Sequence, residues 1–341
     1  MRRVELQAMT EIAHIADGCT DMYERADAVA HALHPLIPFC GSWIAVVDPV
    51  HAEHETLRAE GYSSATEAYA RSSAVLGDIE LVGANRSAAP MTMHGLPVAA
   101  DDVPVWRDYL VPEGFREALV AGLFSGNRYV GIMTLQTDDP AHPTEEALDL
   151  VRLLSPMIGR TLDPLAGVGT TALLMHQARA GIILTRDGRS GPLPGLLTHP
   201  QLLDGSPLRG VVDAVVARGT SETTFLSPDR EWPAGFVRVT VVPCDSTAPF
   251  HVAAAVVLSG PCDLHGLDSV DLALLGLLGA PADADAAVAV AGAHRLIQDR
   301  MPHIAATLHA RTREQAVARA MRLGLLVPPA LAGSLLPCGR S

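Results

Sequence analysis

Histidine and cysteine side chains in the first hundred residues are of the types that bind transition metals. His51 and His54 are separated by two residues, Cys40 precedes them, and His94 follows further along the chain. Imidazole nitrogens and thiolates are the usual ligands of zinc, and imidazole also binds haem iron. No further ligand stands at a spacing typical of a metal site. We therefore predict no metal and no cofactor, and retain His51, His54 and His94 as an alternative metal or haem site.

The other reactive residue types narrow the chemistry further. All 25 basic residues are arginine, which excludes Schiff-base catalysis and a lysine-containing phosphate loop. The five cysteines form no Cys-x-x-Cys pair, so the sequence predicts neither a disulfide framework nor a structural zinc site. No catalytic residue is identified. Whether the chain is an enzyme is left open, and a non-enzymatic role is favoured.

Arginine is concentrated near the C-terminus. The formal net charge of the chain is −13, yet residues 290–325 contain six arginines and only two acidic residues, Asp299 and Glu314. An acidic body with a basic C-terminal segment is typical of a sensor joined to a nucleic-acid-binding domain. Ordinary scatter of charge over helix surfaces produces the same pattern.

Length and hydropathy indicate the organisation of the chain. A sequence of 341 residues is expected to form two or three domains. The mean hydropathy of +0.22 is high, but the longest apolar stretch, around Val252–Leu258, is about half as long as a membrane-spanning helix requires. The N-terminus lacks the apolar segment of a signal peptide. We predict a cytoplasmic protein without a membrane partner.

Periodic apolar residues predict the elements of the first 165 residues. Two amphipathic helices come first, followed by strands at 42–49 and 55–62. After a polar, proline-containing stretch, strands at 114–123 and 128–136 are joined by a hairpin turn at Ser125-Gly126-Asn127. A helix over 144–162 completes this part of the chain.

This order of helix, strand, strand, crossover, hairpin and helix resembles a GAF domain. The segment most similar to that family is Arg116–Gln136, with Gly131-Ile132-Met133-Thr134-Leu135 inside it. The resemblance implies a sensor that holds a small ligand between its sheet and the crossover over 64–106. The residues expected at this pocket are Cys40, Trp43, Tyr62, Trp106, Phe124 and Met133. For any single one of them, an ordinary position in the hydrophobic core is the favoured alternative.

The middle of the chain predicts a smaller α/β unit. A strand beginning at Gly181 enters an Asp187-Gly188 turn, a helix covers 208–218, and two strands follow at 235–242 and 251–258. This order resembles an abbreviated PAS-like sheet.

The last 75 residues predict four short helices, over 268–278, 283–290, 294–308 and 316–323. Thr312 and Gln315 are spaced as a capping box, and Gly324 follows the last helix. Four short helices with a tight break between the second and the third are a helix-turn-helix layout. The segment Arg313–Leu325 is similar to the last helix of the LuxR-type DNA-binding domain. The chain thus resembles a GAF-domain LuxR-type transcriptional regulator of the actinobacterial kind.

This resemblance implies a DNA-contacting surface. Four of its residues are expected to face the major groove and two to lie near phosphates: Arg295, Gln298, Arg300 and His303, then Arg311 and Arg313. The third helix departs from the family pattern because Gln298 replaces a lysine, Asp299 adds a negative charge, and Pro302 removes a backbone hydrogen bond. Fewer cations at phosphates weaken DNA binding.

We expect an α+β protein in four parts. These are a GAF-like antiparallel-sheet sensor over 1–165, a PAS-like small α/β unit over 166–262, an all-α helix-turn-helix domain of LuxR type over 263–330 and a tail over 331–341. The expected function is ligand-responsive transcription regulation by a homodimer, with double-stranded DNA and an unknown small molecule as partners. The alternative is a regulator-derived enzyme, or a metal- or haem-binding protein using the GAF-like pocket, whose helix-turn-helix no longer binds DNA.

Overall fold

The computed structural model describes residues 3–18, 21–166, 178–219, 222–232, 234–244, 250, 252–260, 263–281, 284–333 and 335–336. The chain divides into two compact units: unit 1 is Met1–Gly167 with Thr247–His251, and unit 2 is Val168–Ser246 with Val252–Ser341. The expected boundary after residue 165 lies close to this division. The expected boundary after residue 262 lies inside unit 2, so a separate domain over 263–330 stays a prediction. Residues 334 and 337–341 of the expected tail lie outside the described residues.

Unit 1 is built around a five-stranded antiparallel sheet with the strand order β2-β1-β5-β4-β3. Its described elements, in chain order, are α1 (Arg3–Gly18), α2 (Met22–Leu33), β1 (Gly41–Val47), β2 (His54–Glu60), α3 (Ser64–Ala70), α4 (Val75–Val82), β3 (Met91–Thr92), β4 (Glu117–Ser125), β5 (Arg128–Thr137) and α5 (Glu145–Thr161). The expected mixture of helices with antiparallel strands is therefore present. The order of the helices, the first two strands, the hairpin and the last helix is also as expected.

The hairpin between β4 and β5 is local in origin. Ser125 pairs with Arg128, and Gly126 between them has φ 61°, a left-handed conformation that glycine adopts without strain. Thr144 begins α5, because its side chain accepts a hydrogen bond from the Ala147 amide at 3.3 Å. Helix α5 lies close to β4: a Cβ atom on Gly159 would lie 2.4 Å from the carbonyl oxygen of Phe124.

The stretch between β2 and β4 is more regular than its polar composition indicates. It contains α3, α4, three short helical turns and the two-residue strand β3. Helices α3 and α4 have only seven and eight residues, which is too short for a helical period to stand out in the sequence. The apolar side chains of α4 pack with those of β1, β4 and β5 in one core cluster.

Unit 2 contains a second five-stranded antiparallel sheet, with the order β7-β6-β10-β9-β8. Its described elements before the C-terminal helices are β6 (Ala178–Thr185), β7 (Ser190–Pro192), α6 (Pro207–Ala217), β8 (Thr223–Pro228), β9 (Phe236–Pro243) and β10 (Val252–Ser259). The two short strands β7 and β8 were not expected from the sequence. Counted within its own unit, each sheet places its strands in the order second, first, fifth, fourth, third.

Four helices follow at the C-terminal end of unit 2, as the sequence predicts: α7 (Ser269–Gly279), α8 (Ala284–Gly292), α9 (His294–Thr307) and α10 (Arg313–Leu323). Asp268 begins α7 through a complete capping box with Asp271. The expected box at Thr312 is only half formed. The Thr312 hydroxyl accepts from the Gln315 amide at 3.2 Å, but the Gln315 side chain accepts from the Arg311 amide.

The C-terminal helices pack on the strands of their own unit. Leu226 on β8 and Phe236 on β9 belong to the same core cluster as the buried residues of α7, α9 and α10. The Leu226 amide donates to the carbonyl oxygen of Leu326 at 2.8 Å, and the Arg238 guanidinium donates to that of Leu323 at 2.8 Å. Pro302 lies inside α9 without ending it. Among the described residues, no helix combines the length and the apolar character needed to cross a membrane.

Candidate functional site

A cavity of about 70 Å³ lies in unit 1 between the sheet and the segment 62–110. Its walls are formed mainly by apolar side chains of β1, α4, β4 and β5 and of the turns around Val103–Leu110. Cavities of about 150 Å³ bind benzene in other proteins. A cavity half that size accommodates a molecule of only a few heavy atoms unless the walls move.

Three of the six residues expected at the pocket line this cavity: Trp43, Tyr62 and Trp106. Trp43 and Trp106 are each 6% exposed. The Trp43 indole donates to the Thr56 hydroxyl at 3.1 Å, which holds the ring in place. The Tyr62 hydroxyl donates to the side-chain oxygen of Gln136, and burial raises the pKa of this phenol above its ordinary value.

The other three expected residues do not line the cavity. Met133 alternates along β5 with Ile132 and Thr134, which do line it, so Met133 faces the opposite side of the sheet. Phe124 follows a register shift in the hairpin, and its ring packs against Tyr129 at 5.5 Å between centroids. Cys40 precedes β1, is exposed, and donates from Sγ to the Gln136 carbonyl at 3.6 Å. Their expected place at the pocket is corrected accordingly.

The most informative polar group of the cavity was missed in the sequence. Asp78 lines the cavity from α4 and is 5% exposed. Its carboxylate accepts a hydrogen bond from the Tyr69 hydroxyl at 2.7 Å. Burial raises the pKa of this carboxyl above its ordinary value, although the Tyr69 hydroxyl and the Val105 amide partly oppose the effect. Asp78 shares a helical face with Val75, Ile79 and Val82, a spacing that the short length of α4 leaves too weak to identify the helix from the sequence.

A second polar group of residues lies on β5. The Gln136 amide donates to the Thr134 hydroxyl at 2.8 Å while its oxygen accepts from Tyr62. Thr66 lines the cavity from α3 and donates to Glu113. Tyr62, Gln136 and Thr134 are thus connected to one another by hydrogen bonds. Among the described residues, the Asp78 carboxylate has the Tyr69 hydroxyl and the Val105 amide as its hydrogen-bond donors.

The three histidines of the alternative metal site are not brought together. The His51 ring lies 2.8 Å from the Asp48 carboxylate, the His54 ring 2.9 Å from the Tyr129 hydroxyl and the His94 ring 2.5 Å from the Glu117 carboxylate. Burial lowers the pKa of His54 below its ordinary value. In the part of the chain that the structure describes, no group of three or more histidine, cysteine or acidic side chains is arranged to hold a metal ion.

Two of the residues expected to contact DNA are engaged within unit 2. The Arg300 guanidinium donates to the Asp268 carboxylate at 2.7 Å and to the Asp271 carboxylate at 3.4 Å. The His303 ring lies 3.7 Å from Asp271, whose side chain is 1% exposed. Burial would raise the pKa of Asp268, but the hydrogen bonds from the Asp271 amide and Arg300 hold it below its ordinary value. Arg300 and His303 therefore hold α9 against the N-terminus of α7.

The other four residues of that set are exposed. Arg295 and Gln298 lie on the outer face of α9, and Arg311 and Arg313 flank Thr312 at the start of α10. Among the described residues, none of these three arginines forms an ion pair with a carboxylate. Their charges are thus accessible to solvent.

Comparisons with known proteins give only distant similarities. No protein-family model matches the sequence, and no curated protein matches it. Among solved structures, the chain is similar to the GAF domain of a phosphoenolpyruvate-protein phosphotransferase from Coxiella burnetii, with a TM-score of 0.37, 13% identity and coverage of 50% of this chain and 99% of that one. It is also similar to a phycoerythrobilin-bound GAF domain from a cyanobacterial phytochrome, with a TM-score of 0.34, 10% identity and coverage of 47% and 94%.

A third similar structure is a bacteriophytochrome from the photosynthetic bacterium R. palustris. Its TM-score is 0.32 at 10% identity, with coverage of 76% of this chain and 64% of that one. Because all these scores are low, no ligand, activity or partner is transferred from these proteins to this chain.

Proposed function

We propose that unit 1 is a sensor domain that binds a small molecule in the cavity beside its sheet, and that the chain is a ligand-responsive regulator. The observation that supports this proposal is the cavity itself, which is mainly apolar and contains a buried carboxylate on α4. Packed interiors contain few voids larger than a water molecule. A concave, mainly apolar site with a few polar groups is the usual form of a small-molecule site.

A cavity-filling substitution tests the sensor proposal. Ala118 lines the cavity from β4 and is 1% exposed, so Ala118→Leu fills the space that a ligand would occupy. Molecules of up to about six heavy atoms are screened against the unmodified chain by ligand-observed NMR. We expect every molecule that binds the cavity to lose at least about tenfold in affinity in the variant.

The matched control is Ala141→Leu, which adds the same side chain at an exposed position of unit 1. It is expected to leave the affinities unchanged. Overpacking by Ala118→Leu costs about 1–3 kcal/mol, so a thermal melt establishes that the variant is folded before binding is compared. The proposal is rejected if no small molecule binds the unmodified chain, or if the same molecules bind Ala118→Leu equally well.

We further propose that the regulator acts on transcription as a homodimer, with DNA contacted by its C-terminal helices in the manner of a LuxR-type domain. The supporting observation is the set of exposed arginines on α9 and around the start of α10, Arg295, Arg311 and Arg313, which form no ion pair within the described residues. Exposed guanidinium groups bind phosphates and release counterions from DNA. Arg300 and His303 do not belong to this proposed surface, because both face the carboxylates of Asp268 and Asp271.

Salt dependence tests the DNA proposal. Binding of the full chain to duplex DNA is measured at several salt concentrations for the unmodified protein and for Arg295→Ala and Arg313→Ala. Each substitution is expected to weaken binding and to reduce the salt slope by about one. Arg152→Ala removes an exposed arginine from unit 1 and is expected to change neither quantity. DNA affinities that do not distinguish Arg295→Ala and Arg313→Ala from this control would exclude the proposed surface.

A further inference from the structure

The Asp78 carboxylate is a buried acidic group beside an apolar cavity. The Tyr69 hydroxyl and the Val105 amide donate hydrogen bonds to it, and the carboxylate of Asp108 repels it. Among the described residues, no arginine or histidine lies within ion-pair distance of Asp78. Buried carboxylates are normally paired with a cation because an isolated buried charge is costly. Within the part of the chain that the structure describes, Asp78 is thus a buried acid without a counter-ion.

Aromatic rings stand around the same space. Trp43 from β1 and Trp106 from the turn after Val105 both line the cavity, as does Tyr62. The faces of tryptophan and tyrosine rings carry negative electrostatic potential and attract cations. An occupant of a 70 Å³ cavity touches several lining side chains at once. The combination of one carboxylate with several aromatic rings favours a cation over a neutral or anionic molecule.

We propose that the cavity of unit 1 selects a small organic cation, of the class of short-chain alkylammonium ions, whose charged nitrogen lies at Asp78. The alkyl part then contacts the apolar lining and the tryptophan rings. The size of the cavity limits the occupant to a few heavy atoms, so ethylammonium is a suitable member of the class. This inference rests on the proposed sensor function, because it identifies the chemistry of the ligand in the same cavity.

Three probes of nearly equal size separate this inference from the general sensor proposal. Ethylammonium, ethanol and acetate differ mainly in charge, and binding of each to the full chain is measured by ligand-observed NMR at neutral pH. A ligand of three or four heavy atoms binds weakly, so millimolar concentrations are used. We expect ethylammonium to bind at least about tenfold more tightly than ethanol, and acetate not to bind.

The matched variant is Asp78→Asn, which retains the shape of the side chain and removes its charge. It is expected to bind ethylammonium no more tightly than ethanol, so that the selectivity of the unmodified chain disappears. Asp101→Asn removes an acidic charge from an exposed position of the same crossover and is expected to preserve the selectivity. If Asp78→Asn does not fold, the relative affinities of the three probes for the unmodified chain still test the cation inference.

Failure of the inference and failure of the sensor proposal give different results. Equal binding of ethanol and ethylammonium to the unmodified chain, or selectivity that persists in Asp78→Asn, overturns the cation inference while the cavity remains a binding site. If none of the three probes binds, and no other small molecule binds in the Ala118→Leu experiment, both proposals are overturned.

Discussion

The sheets of the two units have the same strand order, but each unit gives its buried charged side chain different partners. In unit 2, Arg209 on α6 is 3% exposed and is surrounded by acceptors: Asp204 at 2.7 Å, Asp213 at 2.8 Å and the Gly188 carbonyl at 2.7 Å. In unit 1, the buried Asp78 accepts from one tyrosine hydroxyl and has no cationic neighbour among the described residues. A charge with all its partners supplied by the chain is structural, whereas one that lacks them is available to a ligand.

Helices α6 and α4 both contribute apolar side chains to the core of their unit. Leu208 and Val212 on α6 pack with apolar residues of the second sheet in a single cluster, so the helix covers that face of the sheet. In unit 1, α4 likewise packs its apolar side chains with those of the sheet, and Asp78 on the same helix lines the cavity. The two units therefore differ in the charged residue of this helix, because Arg209 has two carboxylate partners and Asp78 has no cationic partner among the described residues.

The largest effect that tests this comparison is expected from Arg209→Met. The substitution retains an unbranched side chain but removes three hydrogen bonds to the guanidinium, and it leaves the Gly188 carbonyl without this donor. Since Asp204 and Asp213 are largely exposed, their charges become hydrated. The expected loss is about 2–3 kcal/mol of unfolding free energy, measured by urea denaturation. Arg218→Ala, at an exposed position after the same helix, is the control and is expected to change little.

For Asp78→Asn in the absence of ligand, we expect a gain rather than a loss of unfolding free energy. Because the pKa of Asp78 is raised in the folded state by burial, the folded chain binds more protons than the unfolded chain. Its contribution to stability is therefore present below the unfolded pKa and is lost as the pH rises through the folded pKa. At a pH above the folded pKa of Asp78, Asp78→Asn is expected to be more stable than the unmodified chain by about 1 kcal/mol. Stability curves measured at pH 4 and pH 8 that show no difference between the two chains contradict the assignment.

The smallest effect concerns the N-cap serines of α6 and α3. Ser206 begins α6, and its hydroxyl oxygen accepts from the Arg209 amide at 3.0 Å; Ser63 begins α3, where the corresponding distance to the Thr66 amide is 3.4 Å. Replacing an N-cap serine by alanine costs about 0.5–2 kcal/mol. We expect Ser206→Ala to lower the free energy of unfolding by about 1 kcal/mol and Ser63→Ala by about 0.5 kcal/mol. Urea denaturation measures both values. A larger loss for Ser63→Ala would indicate that the hydrogen bond from the Ser63 hydroxyl to Glu113 stabilises unit 1 more than the cap does.

Much of the fold follows from local sequence patterns. The β4–β5 hairpin and α5 were expected because their turn glycine and N-cap threonine act within a few residues. Trp43, Tyr62 and Trp106 were expected at the pocket, and the structure places them around one cavity. By contrast, β7 and β8 contain only three and six residues and are stabilised by their neighbours in the sheet, which a local pattern does not reveal.

The polar contacts of the C-terminal helices could not be predicted from local patterns, because their partners are far apart in the sequence. Arg300 is expected at a DNA surface because it lies on the helix that resembles the recognition helix of LuxR-type domains. Its partner Asp268 lies 32 residues earlier in the chain, and only the packing of α9 against α7 brings them together. Asp78 was not predicted because α4 has only eight residues, too few for its apolar period to be recognised in the sequence.

The hydrogen bond between the Leu226 amide and the Leu326 carbonyl has a consequence for dissecting the protein. Strand β8 lies at the edge of its sheet, and the stretch after α10 shields part of that edge. A chain shortened before residue 324 would expose an unpaired strand and the apolar Leu226 and Phe236, features that promote self-association. Low solubility of the shortened chain would then reflect an exposed sheet edge rather than the loss of an independent C-terminal domain.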